Sequence, residues 1–318
     1  MKFQYQDITF RKKALVLIDQ AENIIDEYQA QGYDLTLRQL YYKFVARDLF
    51  PEDRRWSLVK GKWVKDPKGT KNAPPNYKWL GGYVNDGRLG GLLDWEFIVD
   101  RIRKLEEKSH WSSPSHIIQS CAEYYGIDTR YDQDHYVEVW VEKDALSGVI
   151  KQACEPLDVS WFSCRGYVSQ SAMWRAGRRI KKIHNEHRII LHLGDHDPSG
   201  IDMTRDIQDR LTMFEADVTV KRIALNMDQI EELNPPSDPA KVTDSRYDDY
   251  RDKYGDESWE LDALEPKYLV DLITDNVAVY TNDDRRNRLV NRQQKQRDQL
   301  KAVADNWDDI VDEYADDV

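Results

Sequence analysis

The stretch from His135 onward constrains the fold most, because it alternates strand-like and helix-like segments without a break. "HYVEVWVE" reads as a strand and "KDALSGVIKQAC" as a helix, followed by "DVSWFSC" as a strand and "SQSAMWRAGRRIKKIH" as a helix. "RIILHLGD" is then a strand, "SGIDMTRDIQDRL" a helix and "DVTVKRIAL" a strand. Strict alternation predicts a mainly parallel sheet covered on both faces, with functional groups gathering at the carboxyl ends of its strands. The segment from Asn234 to Leu264 is turn-rich and polar, and short helices are expected to finish the chain.

The first hundred or so residues have a different texture. Leu15, Ile18, Ala21, Ile24, Ile25 and Tyr28 repeat at helical spacing up to Gly32. Thr36 followed by Gln39 is a capping box that announces a helix from Leu37 to about Asp48, ended by Pro51. "KWLGGYVNDGRLGGLLDWEFIVDRIRKL" predicts one or two further helices with a glycine-permitted turn. The expected fold class is therefore α/β plus mainly α. A helix-turn-helix-like, winged-helix unit is expected over residues 1–130, and a Rossmann-like unit with a parallel sheet over 131–318, including a helical C-terminal extension.

The chain has 318 residues, 33% of them charged, and a formal net charge of −12, which ordinarily counts against a nucleic-acid partner. The distribution matters more than the sum. From Arg54 to Lys78 run Arg54, Arg55, Lys60, Lys62, Lys65, Lys68, Lys71 and Lys78 against the single acid Asp66, with Trp56, Trp63 and Tyr77 interleaved. This basic insertion, spanning Glu52 to Asn76, suits either a phosphate and base contact surface or a solvated, mobile loop. The tail "DNWDDIVDEYADDV" is an acidic helix end or solvated appendage. The N-terminus lacks an apolar block and no stretch is long and apolar enough to span a bilayer, so the expectation is a cytoplasmic protein with no membrane partner. Cys121, Cys154 and Cys164 have no CxxC spacing and read as reduced, mostly buried thiols. His184 and His187 read as solvated surface, and the glycine run from Gly81 to Gly91 lacks the spacing of a nucleotide-binding turn.

Three carboxylates fall at strand ends: Glu142 closes "VEVWVE", and Asp195 and Asp197 close "RIILHLGDHD". Delivered to one sheet edge they would repel one another unless a cation lay between them. An all-oxygen set of this kind suits Mg²⁺ or Mn²⁺. Singly, each has a plainer reading: Asp197 is a good N-cap for a helix starting near Ser199, and Glu142 a strand-end charge.

"VEVWVEKDAL", "SCRGY" and "LGDHDPSGIDM" resemble the Toprim half of the topoisomerase VI A subunit and of its relative, the meiotic double-strand-break transesterase. The resemblance implies that Glu142, Asp195 and Asp197 bind the metal. That family carries its nucleophile earlier, in a winged-helix domain, as Arg-x-x-aromatic-Tyr, matched here by Arg38-Gln39-Leu40-Tyr41-Tyr42. Helical phase agrees independently. At about 100° per residue, Leu37, Leu40, Tyr41, Phe44 and Val45 share one side, so Tyr41 is expected in the core and Tyr42 presented to solvent beside Arg38.

The likeness runs from about Gly32 to Ile273 and includes "DESWELDALEPKYLVDLI". It implies a metal-dependent transesterase that breaks double-stranded DNA through a 5′-phosphotyrosyl intermediate, with Tyr42 as nucleophile and Arg38 favouring the phenolate. It also implies a homodimer in which each tyrosine works against the acids of the other subunit. The sequence carries no ATPase module, so any ATPase would be a separate partner subunit. His196 and Ser199 stand at variable positions of the acidic motif, and His196 is expected to face solvent. The alternatives are a hydrolytic Toprim nuclease, in which Tyr42 is incidental, and a DNA-binding scaffold that does not cut.

Overall fold

The computed structural model describes residues 2–96, 98 and 108–315. Helix α1 (Lys12–Ala30) and helix α2 (Leu37–Ala46) pack in the N-terminal unit, and the Thr36 capping box closes as expected: Gln39 N donates to Thr36 Oγ1 at 3.2 Å and Thr36 N to Gln39 Oε1 at 2.9 Å. The basic insertion is an ordered hairpin, β1 (Trp56–Val59) and β2 (Lys62–Lys65), turning at Lys60 and Gly61 with positive φ at both. Its base is anchored where Arg54 stacks 4.3 Å from the Trp79 ring centroid and Trp56 Nε1 donates to Asn76 at 2.9 Å. Lys60, Lys62, Lys65 and Lys68 remain exposed. Helix α3 (Pro74–Leu89) completes the core formed by Leu17, Ile24, Leu40, Phe44, Leu80 and Val84. The rest of the second helical segment expected after it, toward Leu105, lies mostly outside the described residues.

Helix α4 (Pro114–Tyr124) leads to the alternating region: β3 (His135–Val141), α5 (Ser147–Cys154), β4 (Ser160–Ser163), α6 (Gln170–Ile180), β5 (His187–Leu193), α7 (Pro198–Met213) and β6 (Thr219–Ala224). The four strands form one parallel sheet in the order β4-β3-β5-β6. Side-chain alternation divides the core. Val137, Val139 and Val141 of β3, with Leu191 and Leu193 of β5, pack on one face against α5 and a later helix that carries Leu269, Ile273 and Val277. Trp140 and Ile190 pack on the other face against α6 and α7. Because β4 and β5 flank β3 on opposite sides, the connections diverge at the carboxyl ends of β3 and β5, where α/β sheets form crevices.

The chain continues through α8 (Met227–Leu233), β7 (Ser237–Pro239), α9 (Tyr247–Tyr254) and β8 (Glu257–Trp259), with β7 and β8 paired antiparallel. Helix α10 (Pro266–Ala278) covers the sheet; α11 (Asp283–Asp305) and α12 (Trp307–Ala315) follow. The expectation of short final helices is corrected by α11, whose 23 residues lie along α4. Asn282 caps its start, accepting from Arg285 N at 3.1 Å, and the sequence to Asp305 contains neither glycine nor proline to stop it. Among the described residues there are twelve α-helices, none long and apolar enough to cross a membrane. Cys154 and Cys164 are buried and Cys121 is exposed.

Candidate active site

Strand β3 delivers Glu142 and β5 delivers Asp195 to the same crevice, since Glu142 N donates to Leu193 O at 2.8 Å and Asp195 N donates to Glu142 Oε2 at 2.9 Å. The approach is tight at Gly194 and close enough at Gly200 to require glycine. A Cβ on Gly194 would lie 3.0 Å from Glu142 Oε2, and one on Gly200 would lie 2.2 Å from the Asp195 carbonyl oxygen. Arg222 clamps the same loop by donating to Gly194 O at 2.9 Å, Asp195 O at 2.6 Å and Gly200 O at 2.8 Å. Burial pushes this guanidinium down to about 10.

Asp195 is 7% exposed and its Oδ1 accepts from Leu261 N at 2.8 Å. Burial pushes the carboxyl up to about 8; Lys143 opposes this, while Glu142 and Asp262 add to it. Glu142 is also raised, first by burial. Asp197 does what an aspartate before Pro-Ser does. It caps α7, its Oδ1 accepting from Gly200 N at 2.6 Å and from Ser199 Oγ at 2.9 Å.

Three residues without an assigned role complete the cluster. Lys143 Nζ sits between Asp195 Oδ2 at 3.0 Å, Glu260 Oε2 at 2.7 Å and Asp262 Oδ1 at 3.0 Å. Asp262 is wholly buried, and burial raises its carboxyl. For Glu260 burial acts the same way, but Lys143 and Arg38 outweigh it and hold the group at about 2. Lys143 follows Glu142 in "VEKDAL" and both acids stand in "WELDAL", so the sequence carried them inside segments already singled out. What it lacked was the fold that brings residue 260 back to residue 143.

Arg38 joins this cluster from the N-terminal unit. Its Nε lies 3.1 Å from both Glu260 Oε2 and Asp262 Oδ2, its Nη2 also bonds Glu260, and Nη2 donates to the Tyr42 hydroxyl at 3.3 Å. The Tyr42 hydroxyl in turn donates to Asp238 Oδ2 at 3.5 Å. Arg38 and Tyr42 are thus paired as their spacing requires, but the expectation of a solvent-facing Tyr42 is corrected: it is 3% exposed, against 5% for Tyr41. The face of α2 that leaves its own core is covered by the β7 strand and the 260–262 segment, which the helical phase of α2 cannot register. Burial, then Glu260 and Asp262, drive the Tyr42 phenol well above its ordinary value, and Arg38 only partly offsets them. Tyr41 is held by Asn72 Oδ1 at 2.8 Å and by Ala73 N at 2.6 Å.

His196 is likewise corrected from solvent-facing to 1% exposed. Tyr250, Tyr254 and Trp259 enclose its ring, and Nδ1 lies 2.7 Å from the Tyr250 hydroxyl. Burial lowers it to about 4, so it is a neutral packing element.

An open cavity of about 410 Å³ is lined by Arg38, Glu142, Lys143, Asp195, Glu260 and Asp262; Tyr42 and Asp197 are not among its lining residues. The donors are hard oxygens with no thiolate or imidazole among them, which fits a Mg²⁺-like ion. As the side chains stand, however, no three His, Cys, Asp or Glu groups among the described residues converge to hold a metal. The Lys143 ammonium occupies the cationic position beside Asp195. The chain matches no family model, no curated protein and no solved structure.

Proposed function

We propose that the chain is a metal-dependent DNA transesterase, with a Toprim-like unit in the sheet region and a winged-helix-like unit before it. The observation that carries the reading is a continuous line of contacts from the strand-end acids to a tyrosine: Asp195 to Lys143, Lys143 to Glu260, Glu260 to Arg38, and Arg38 to Tyr42. The phenol is buried behind Arg38, which itself lines the carboxylate-rich crevice, and a strongly perturbed group so placed marks a functional-site candidate. Glu142 and Asp195, with Asp197 only once its carboxylate turns from the start of α7, would hold a divalent ion, which when bound supplies positive charge to a phosphate oxygen.

In the reaction, Tyr42 Oη attacks phosphorus, the bond from phosphorus to the 3′ oxygen breaks, and a 5′-phosphotyrosyl link and a free 3′-hydroxyl result. Asp238, already accepting the phenol's hydrogen bond, takes its proton; the departing 3′ oxygen takes one from water. Arg38 contributes by exchanging Glu260 and Asp262 for the phosphate, which also uncovers the phenol. The exposed lysines of the β1–β2 hairpin give the duplex a basic track. A homodimer with two such tyrosines would cut both strands, and any ATPase would be a separate partner.

The second reading, a hydrolytic nuclease, is favoured by the raised phenol and needs no Tyr42. Incubating 3′-labelled duplex DNA with the protein and Mg²⁺, then denaturing, separates the two. Protein-linked ends that vanish in Tyr42→Phe support the transesterase. Cleavage without linked ends that survives Tyr42→Phe supports hydrolysis. Neither product, in protein shown to bind Mg²⁺ and duplex, leaves a scaffold that does not cut. Mixing Tyr42→Phe chains with Glu142→Ala/Asp195→Ala chains restores single-strand cutting only if each tyrosine serves its partner's acids.

A further inference from the structure

At the opposite end of the sheet lies a cavity of about 530 Å³ that the proposed reaction does not use. It opens where β3 and β4 begin, between the segment 126–130 and α11. Seven residues of β3 at about 3.3 Å each put it roughly 20 Å from Glu142. Arg130, Arg286 and Arg297 all line it.

None of the three has a carboxylate within ion-pair distance among the described residues. Arg130 Nη1 donates to Thr281 Oγ1 at 3.1 Å and Nη2 to Tyr280 O at 3.4 Å; Arg286 Nη2 bonds Pro156 O; Arg297 Nε donates to Tyr125 O at 2.7 Å. Their partners are neutral oxygens. Arg130 is 7% exposed, and its Nε and that of Arg286 are buried with no partner. A buried guanidinium with an idle N–H beside a second one is costly unless an anion completes it.

Three acids also line the cavity; Asp128 and Asp158 favour the Arg130 charge from beyond ion-pair distance, and each of the three has its own hydrogen-bond or ion-pair partner. Asp158 Oδ2 accepts from Thr129 N and Oγ1, both at 2.7 Å; Asp128 Oδ1 accepts from Arg130 N at 2.9 Å; and Glu155 pairs with Lys151 at 3.3 Å.

We infer that this cavity binds a small phosphorylated organic molecule, its phosphate held by Arg130, Arg286 and Arg297. A phosphate group, with a charge of about −1.5 to −2 at neutral pH and several acceptor oxygens, matches clustered guanidinium donors better than a single carboxylate does. The volume lies inside the roughly 300 to 1,000 Å³ of small-molecule sites, more than inorganic phosphate fills. Ile127, Val137 and Val290 supply apolar wall for the remainder. Such a ligand bridges α11 to the sheet, tying the long C-terminal helix to the strands that carry the acids.

The test is isothermal titration of the full chain with pyrophosphate and with adenosine diphosphate, in EDTA and at matched ionic strength. Both probes are expected to bind, the nucleotide more tightly, with affinity falling at least tenfold in Arg286→Gln and in Arg297→Gln and unchanged in Arg178→Gln on α6. Arg130→Gln should abolish binding; since Arg130 also holds Tyr280 and Thr281, its melting temperature is compared with the wild type, and the Arg286 and Arg297 variants decide if it unfolds. No binding at millimolar concentration, or binding indifferent to both variants, overturns the assignment. So does binding of single-stranded oligonucleotide alone, which would make the cavity a nucleic-acid backbone contact.

Discussion

Replacing Lys143 with methionine tests the charge cluster directly. The ammonium contacts Asp195, Glu260 and Asp262 within 3.0 Å and its side chain is only 18% exposed, so water screens the pairs weakly. Methionine keeps the stem's volume and removes the charge. Asp262, wholly buried, is then left with Arg38, and the Asp195 carboxylate with no ion pair among the described residues, Arg222 reaching only its main-chain oxygen. Breaking a buried pair from one side costs about 3–5 kcal/mol. With a urea m-value of about 3 kcal/mol/M, the midpoint measured in EDTA should fall by roughly 1 to 1.7 M.

Two companions fix the cause. In Lys143→Met/Asp262→Asn the loss should be smaller than the sum of the single changes, because the second removes a charge that the first stranded. Acidification should shrink the deficit too. Lys143 lowers the carboxyls of Asp195 and Asp262 against their burial, so without it both protonate at higher pH and the stranded charge disappears as pH falls. Mg²⁺ should bind the variant more tightly than the wild type, since the competing ammonium is gone. A midpoint in EDTA within about 0.3 M of the wild type, a loss below about 1 kcal/mol at that m-value, would refute the view that Lys143 balances these acids.

Three further outcomes are expected. Tyr41→Phe should cost about 1–3 kcal/mol in urea unfolding by orphaning Ala73 N, whereas Tyr42→Phe, whose hydroxyl contacts are 3.3 and 3.5 Å, should cost less than about 1 kcal/mol; the reverse order would contradict the assignment. Burial beside Glu260 raises Asp238 to about 6, so the folded state holds a proton that the unfolded chain releases above its usual value of 3.8, and this group's contribution to stability falls as pH rises across that window. Asp238→Asn should flatten that slope, improving midpoints relative to wild type more at pH 7, above the window, than at pH 4.5, where most of the wild type's extra stability is still present. Gly200→Ala should destabilise by at least ~1–3 kcal/mol and abolish any DNA cleavage, because its Cβ would meet the Asp195 carbonyl oxygen at 2.2 Å; full activity would mean the loop tolerates a shift.

The α/β region was legible because its signals are local. Strand and helix periods alternate, and Glu142 and Asp195 follow strands whose ends a parallel sheet must align. The Thr36 box was legible for the same reason, being complete within four residues. Tyr42 and His196 were misread because what covers them comes from far along the chain. Asp238 lies 196 residues beyond Tyr42, and Tyr250, Tyr254 and Trp259 come from a segment that reads as turn-rich and polar. Helical phase reports which face of α2 departs from its own core; it carries no information on whether water or a second unit meets that face.

The closed arrangement also gives the proposed reaction a built-in order. Glu260 is shared between Arg38 and Lys143, so a phosphate that takes Arg38 leaves Glu260 wholly to Lys143. Lys143 then has less positive charge to offer Asp195, whose carboxyl, already raised by burial, gains most from another cation. Uncovering Tyr42 and creating demand for a divalent ion at Glu142 and Asp195 are on this account two consequences of one displacement. DNA phosphate and metal should therefore bind with positive coupling, and neutralising Glu260 by Glu260→Gln should weaken that coupling while loosening the cover over the tyrosine. Calorimetric Mg²⁺ affinities with and without duplex, in wild type and Glu260→Gln, measure it; equal coupling in both proteins would separate the tyrosine's release from the acids' charge balance.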